Sequence, residues 1–195
     1  MAFTIERRHL LLTLGAAALV GLDPRLAQAT SMTRVTAYAF TFKGLDGAEI
    51  LLASYAGQPM LVVNTASLCG YTPQYAGLQA LWSHYHAKGL MVLGVPSNDF
   101  GGQEPGGVSE IEKTAQGEYR ITFPLTEKVA VKGQNAHPFY RWAASERPLE
   151  APRWNFHKYL IGRNGRLKAA FTSAVEPNDP RLVAAIEKEL AAKGA

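Results

Sequence analysis

The most constraining feature of the sequence is a pair of short apolar segments separated by one amphipathic segment. Residues 60–66 and 90–95 are mostly apolar and contain several β-branched side chains, which is typical of buried strands. Between them, apolar side chains recur at helical spacing after Pro73, a residue that favours the first turn of a helix. A buried strand, a helix and a second buried strand predict a parallel βαβ unit and an α/β fold.

Shorter segments on both sides of this unit complete one predicted domain. The Asp-Gly pair at 46–47 and the Asn-Gly pair at 164–165 each join two strand-like segments, so each predicts an antiparallel hairpin. A last helix is predicted to begin near Asp179. This order predicts a single thioredoxin-like domain, with a central mixed sheet flanked by helices and an N-terminal β-hairpin. The strand-like segments outside the βαβ unit are residues 38–42, 49–53, 156–161 and 167–172.

The first 29 residues predict a cleavable export signal. The pair Arg7-Arg8 precedes an uncharged stretch at 10–22, and Ala27-Gln28-Ala29 provides a cleavage site. Paired arginines favour a twin-arginine signal over an ordinary Sec signal, and a retained anchor is the third alternative. We therefore expect residues 1–29 to be removed and residues 30–195 to form the domain, in the bacterial periplasm.

The pattern of charged residues bears on which kinds of partner the protein can bind. The chain carries 20 Lys and Arg against 16 Asp and Glu, for a net charge of +4, without a dense basic block. Nucleic-acid binding needs a clustered basic stripe or a stacking motif, so none is expected. The stretch at 10–22 is too short to span a bilayer, so no stable membrane span is expected. The histidines lack metal-ligand spacing, and no metal or cofactor is predicted.

Cys69 is the only cysteine of the chain, and it lies where the first buried strand gives way to the helix. Unpaired N–H groups and the helix dipole at such a junction favour a thiolate. A lone cysteine is more often a small buried hydrophobic residue. In an exported protein, however, an unpaired thiol is itself a candidate reactive group.

Three segments of the sequence stand out, namely NTASLCGYTPQY at 64–75, PSNDFGGQEPG at 96–106 and WNFHKYLIG at 154–162. Together they resemble the glutathione peroxidase family, and the resemblance runs from about Tyr38 to the C-terminal helix. The resemblance implies that Cys69 is the peroxidatic residue, and that Gln103, Trp154 and Asn155 complete the catalytic tetrad. Taken singly, these three residues also fit a loop glutamine, a core tryptophan and a turn asparagine.

The resemblance implies a thiol-dependent peroxidase that reduces hydrogen peroxide and organic or lipid hydroperoxides through a sulfenic acid on Cys69. Neutral donors such as the Gln103 amide and the Trp154 indole would stabilise the charge that develops on the departing oxygen. The short span between Trp142 and Trp154 is similar to that of the compact, mostly monomeric members of the family.

Two departures from the family pattern concern the reductant. Ala115 stands where thioredoxin-dependent members have a resolving cysteine, and Ser97 stands where many members have another cysteine. An external thiol must therefore resolve the sulfenic acid. Glutathione is the first candidate, and an exported thiol reductase is the alternative.

Other functions remain open at this stage. A peroxiredoxin would need a proline-containing motif before Cys69, and a disulfide oxidoreductase would need a second cysteine where Thr72 stands. A peroxide sensor that passes its oxidation to a partner protein shares the first chemical step with a peroxidase. A binding module with an inert, buried Cys69 is the remaining alternative.

Overall fold

The protein is described by a computed structural model that covers Met1 and residues 34–192. The predicted export signal therefore lies outside the described residues, apart from Met1. The strands are β1 Thr41–Lys43, β2 Glu49–Leu51, β3 Met60–Thr65, β4 Met91–Pro96, β5 Lys158–Ile161 and β6 Leu167–Phe171. The helices are α1 Gln74–Tyr85, α2 Val108–Glu112, α3 Pro138–Glu146 and α4 Pro180–Ala191, and a π-helical turn, Lys113–Glu118, follows α2 directly.

The central sheet is mixed and has the strand order β4-β3-β5-β6. Strand β3 runs parallel to β4, from the pair Met60–Met91 onward, and antiparallel to β5. Strand β5 in turn pairs antiparallel with β6. The predicted βαβ unit and the predicted mixed sheet are confirmed.

Both faces of β3 are buried, which explains its almost continuous apolar sequence. Successive side chains of a strand point to opposite faces. Leu61 and Val63 accordingly belong to a core cluster that includes residues of α1 and α4, whereas Met60 and Val62 belong to a second cluster that includes residues of α3. The sheet is therefore flanked by helices on both sides, as predicted.

The two predicted hairpins form, with shifted ends. Strands β1 and β2 pair antiparallel, but β1 begins only at Thr41 because Ala37–Ala39 is a 3₁₀ turn. Strand β5 begins at Lys158, two residues later than predicted, because Phe156 has a φ of 62°, which is incompatible with a strand. Gly165, in the turn between β5 and β6, has a φ of 71°, which glycine adopts without strain.

Within residues 34–192, no helix is long and apolar enough to cross a membrane.

Candidate active site

Cys69 lies in the turn between β3 and α1, and only 5% of its surface is exposed. The backbone N–H of Tyr71 donates to its Sγ atom over 3.4 Å. Thr72 holds the turn together, because its Oγ1 accepts from the N–H of Cys69 at 3.0 Å and donates to the carbonyl of Ala66 at 2.8 Å. The fold thus presents one backbone donor to the sulfur, which stabilises negative charge there.

Gln103 lies in the loop after β4, next to the turn that carries Cys69. The N–H of Leu68 donates to the carbonyl of Gln103 at 3.0 Å and joins the two loops. Gly101 and Gly102 have φ values of 67° and 63°, so the loop needs glycine there. A Cβ atom on Gly101 would lie 3.3 Å from Cη2 of Trp154 and 3.5 Å from Cγ of Gln103, so these side chains meet over this glycine.

Asn155 is fully buried and fixes the orientation of Gln103. Its Nδ2 donates to Oε1 of Gln103 at 2.9 Å and to the carbonyl of Phe100 at 3.3 Å. With its carbonyl oxygen engaged, the Gln103 amide keeps its NH₂ group for another partner. The geometry makes Asn155 a positioning residue for Gln103.

Trp154 is not a core residue, since 39% of its surface is exposed. Its carbonyl accepts from Nδ2 of Asn64 at 3.1 Å, and its ring packs against Phe100 with centroids 6.1 Å apart. The structure therefore brings Trp154, Gln103 and Asn155 together, beside the turn that holds Cys69.

Glu104 is a buried carboxyl group that the sequence did not single out, with 1% of its surface exposed. Its Oε2 accepts from the hydroxyl of Ser67 at 3.1 Å, while its Oε1 has no partner among the described residues. Burial is the main cause that raises the pKa of this carboxyl above its usual value. Glu104 thus links the loop of Gln103 to the turn of Cys69 through a buried side chain.

We expect the neutral variant Glu104→Gln to become more stable relative to the wild type as the pH rises above the ordinary pKa of glutamate. Because the folded-state pKa is raised, the native protein binds more protons than the unfolded chain in that range, and the wild type loses stability. The slope is at most about 1.4 kcal/mol per pH unit. Denaturant unfolding at a series of pH values measures it. A pH-independent difference between the two proteins would contradict the assignment.

Lys158 is a second buried ionisable residue, and its side chain contacts Gln74, the first residue of α1. Its Nζ donates to Oε1 of Gln74 and to the carbonyl of Val175. Gln74 in turn donates to the carbonyl of Ser173 at 2.7 Å and to Oε1 of Glu176 at 3.2 Å. Burial lowers the pKa of Lys158 to about 8. This network fastens the beginning of α1 to the segment after β6.

Comparison with known proteins identifies the family. The family model described as "Glutathione peroxidase" matches residues 37–144. "Hydroperoxy fatty acid reductase gpx1" from Synechocystis is 42% identical over 170 residues, covering 83% of this chain and 99% of the relative. The chain belongs to the glutathione peroxidase family. It is a peroxidase, an oxidoreductase that reduces peroxides at the expense of thiols, as the sequence predicted.

Solved structures confirm the fold of the domain. The structure described as "Trgpx in apo form" is 33% identical, with a TM-score of 0.63, and the match covers 80% of this chain and 97% of that one. A thiol:disulfide interchange protein of the thioredoxin family from Chlorobium tepidum is 14% identical, with a TM-score of 0.59, over 78% of this chain and 93% of that one. The predicted thioredoxin-like fold is confirmed.

The two departures from the family pattern both lie in the core of the domain. Ser97 and Ala115 are fully buried, and Ala115 lies in the π-helical turn after α2. Within residues 34–192, Cys69 is therefore the one thiol available for redox chemistry. No group of three His, Cys, Asp or Glu side chains in the described part of the chain is close enough to hold a metal ion.

Proposed function

We propose that Cys69 is the peroxidatic residue, that Gln103 and Trp154 donate to the reacting oxygen atoms, and that Asn155 positions Gln103. The observation that carries this assignment is the hydrogen bond of 2.9 Å from the buried Asn155 to Gln103, in a loop that is bonded to the turn of Cys69. The buried amide of Asn155 holds the amide of Gln103 in one orientation, which is typical of a preorganised site.

The proposed first step transfers one oxygen atom to sulfur. The Cys69 thiolate attacks the terminal oxygen of the hydroperoxide, so that an S–O bond forms while the O–O bond breaks. Sulfur is oxidised to a sulfenic acid, and the peroxide is reduced to an alkoxide or hydroxide, which takes a proton from solvent. The NH₂ group of Gln103 and the indole N–H of Trp154 stabilise the charge on the departing oxygen.

The proposed return to the thiolate uses two external thiols. The first thiol attacks the sulfenic acid, releases water and forms a mixed disulfide with Cys69. The second thiol attacks that disulfide and frees the Cys69 thiolate. Cys69 has no second cysteine to pair with inside the chain, which is why both thiols must come from outside. Glutathione is the proposed reductant, and an exported thiol reductase is the alternative.

For the oxidising substrate, we propose both hydrogen peroxide and organic or lipid hydroperoxides. The half-exposed Trp154 leaves the site open to large molecules. The Synechocystis relative carries the name of a hydroperoxy fatty acid reductase, which supports the same substrate class. The short span between Trp142 and Trp154 supports a monomer. Membership of a peroxidase family favours turnover over a role as a peroxide sensor.

We also propose export to the bacterial periplasm. The support is the sequence of the N-terminal segment, with Arg7-Arg8, an uncharged stretch and an A-x-A site at 27–29. Fractionation of cells that express the full chain tests this proposal, with an Arg7→Lys, Arg8→Lys variant as the control for twin-arginine export. Retention of the wild-type protein in the cytoplasm would contradict it.

Peroxide consumption with glutathione tests the proposed catalytic cycle. We expect repeated turnover of hydrogen peroxide by the wild-type protein and none by Cys69→Ser, a variant that keeps the size of the side chain and loses the thiolate. If the wild type consumes one equivalent and stops, glutathione is the wrong reductant. If Cys69→Ser consumes peroxide as fast as the wild type, the assignment of Cys69 is wrong.

A further inference from the structure

We propose that a groove beside Trp154 holds the hydrocarbon chain of the hydroperoxide, and that the protein therefore selects substrates by chain length. This inference rests on the proposed function of Cys69. The groove has a volume of about 440 Å³, which lies within the range of small-molecule sites. Three segments line it, namely the turn after Cys69, the chain from Leu149 to His157, and the end of β6 with the residues that follow it.

The lining of the groove is mainly apolar. Leu149, with 87% of its surface exposed, three alanines and the aromatic residues Tyr71 and Trp154 belong to the lining. His157 is buried, and burial lowers its pKa to about 4, so its imidazole is neutral at pH 7. Binding of a hydrocarbon chain to such a surface is favourable, because it removes apolar area of both from water. The three alanines are Ala151, Ala170 and Ala174.

The charged groups of the groove do not match a highly charged ligand. Glu150 is paired with Arg147 at 2.8 Å, and Arg153 is an exposed side chain on the lining. A tripeptide thiol carries two carboxylates and an ammonium group, and Arg153 is the one cation that the described residues of the lining offer, so a second carboxylate would lose water here without gaining a partner. A hydrocarbon chain needs no partners of this kind. The lining therefore fits the oxidising substrate better than the reducing one.

The groove adjoins the reaction site. Trp154 and Tyr71 both line it, and the N–H of Tyr71 is the group that donates to Sγ of Cys69. A chain that lies in the groove with its hydroperoxide end towards Tyr71 would present that end on the side of the sulfur. Hydrogen peroxide reaches the same sulfur without using the groove. The two classes of substrate should differ in their dependence on the residues of the lining.

A series of straight-chain alkyl hydroperoxides, from ethyl to nonyl, tests the proposal in the full-length protein. We expect kcat/KM to rise by up to about fourfold for each methylene until the groove is filled, and then to level off. Ala174→Asp and Leu149→Ser alter exposed side chains of the lining, so both should flatten this rise and leave the turnover of hydrogen peroxide unchanged. The matched control is Leu51→Ser, an exposed leucine on β2 that does not line the groove.

The same groove can be tested without turnover. Straight-chain alcohols, the products of the reaction, should bind to Cys69→Ser with a Kd that falls by up to about fourfold per methylene, as measured by calorimetry. Adding Ala174→Asp should remove that trend. If the alcohol affinities do not depend on chain length, or if Ala174→Asp leaves that dependence intact, the groove does not hold the hydrocarbon chain and the proposal is overturned. Absence of peroxide turnover together with chain-length-dependent binding would overturn the proposed function and support the groove.

Discussion

Replacing Gln103 by Ala is expected to lower kcat/KM for hydrogen peroxide by about 10²–10³-fold, the loss typical for one preorganised donor. The variant removes the NH₂ group that we propose donates to the reacting atoms, while the backbone bond from Leu68 to residue 103 remains. Steady-state kinetics at a fixed thiol concentration measure the effect. Gln116→Ala, at an exposed glutamine, is the matched control and should have wild-type activity.

Asn155→Ala should reproduce most of the loss caused by Gln103→Ala, because the role that we propose for Asn155 is to orient Gln103 through its hydrogen bond to Oε1. The double variant should then be little worse than either single variant, since residues that act as one unit are not additive. Unfolding curves identify any part of the loss that is due to reduced stability. Fully multiplicative losses would show that Asn155 acts independently of Gln103.

Replacing the buried Lys158 is expected to cause a large change in how the stability of the native protein depends on pH. The pKa of this buried lysine is about 8 in the folded protein, against 10.5 for an ordinary lysine. Between these two values the unfolded chain binds more protons than the native protein, so native stability rises with pH. From pH 8 to pH 10 the wild type should gain about 2 kcal/mol relative to Lys158→Met, because the slope stays below its maximum of about 1.4 kcal/mol per pH unit near each pKa.

Chemical denaturation of both proteins at several pH values measures this difference, in which the titration of all other groups cancels. The matched control is Lys188→Met on α4, where the lysine is exposed and the difference from wild type should not change with pH. A constant difference between the wild type and Lys158→Met over the same range would mean that the buried lysine is charged as easily as an exposed one.

The sequence predicted the centre of the fold better than its edges. Strands β3 and β4 are apolar along most of their length because both of their faces are covered, so their local pattern is clear. The ends of the hairpins depend on contacts that are distant in the chain. The left-handed Phe156, for example, donates its N–H to the carbonyl of Asn64 on β3, and no local pattern around residue 156 indicates this.

The candidate site was likewise predictable from sequence only where the sequence pattern is local. Cys69, Gln103, Trp154 and Asn155 could be named from short motifs, because each is carried by a resemblance in its immediate sequence. Glu104 and Lys158 were missed because a charged residue ordinarily indicates an exposed position. Their burial depends on partners that are distant in sequence, such as Ser67 for Glu104 and Gln74 for Lys158. The one local indication that Glu104 belongs to the site was its position directly after Gln103.

Mass spectrometry of a single turnover shows whether Cys69 alone carries the oxidised intermediate. The protein is treated with one equivalent of hydrogen peroxide without thiol, and then with glutathione. We expect Cys69 to gain one oxygen atom, which a sulfenic-acid-specific diketone captures, and to exchange it for a glutathione adduct after the second addition. Consumption of the peroxide while the Cys69 thiol stays unmodified would show that Cys69 is not the peroxidatic residue.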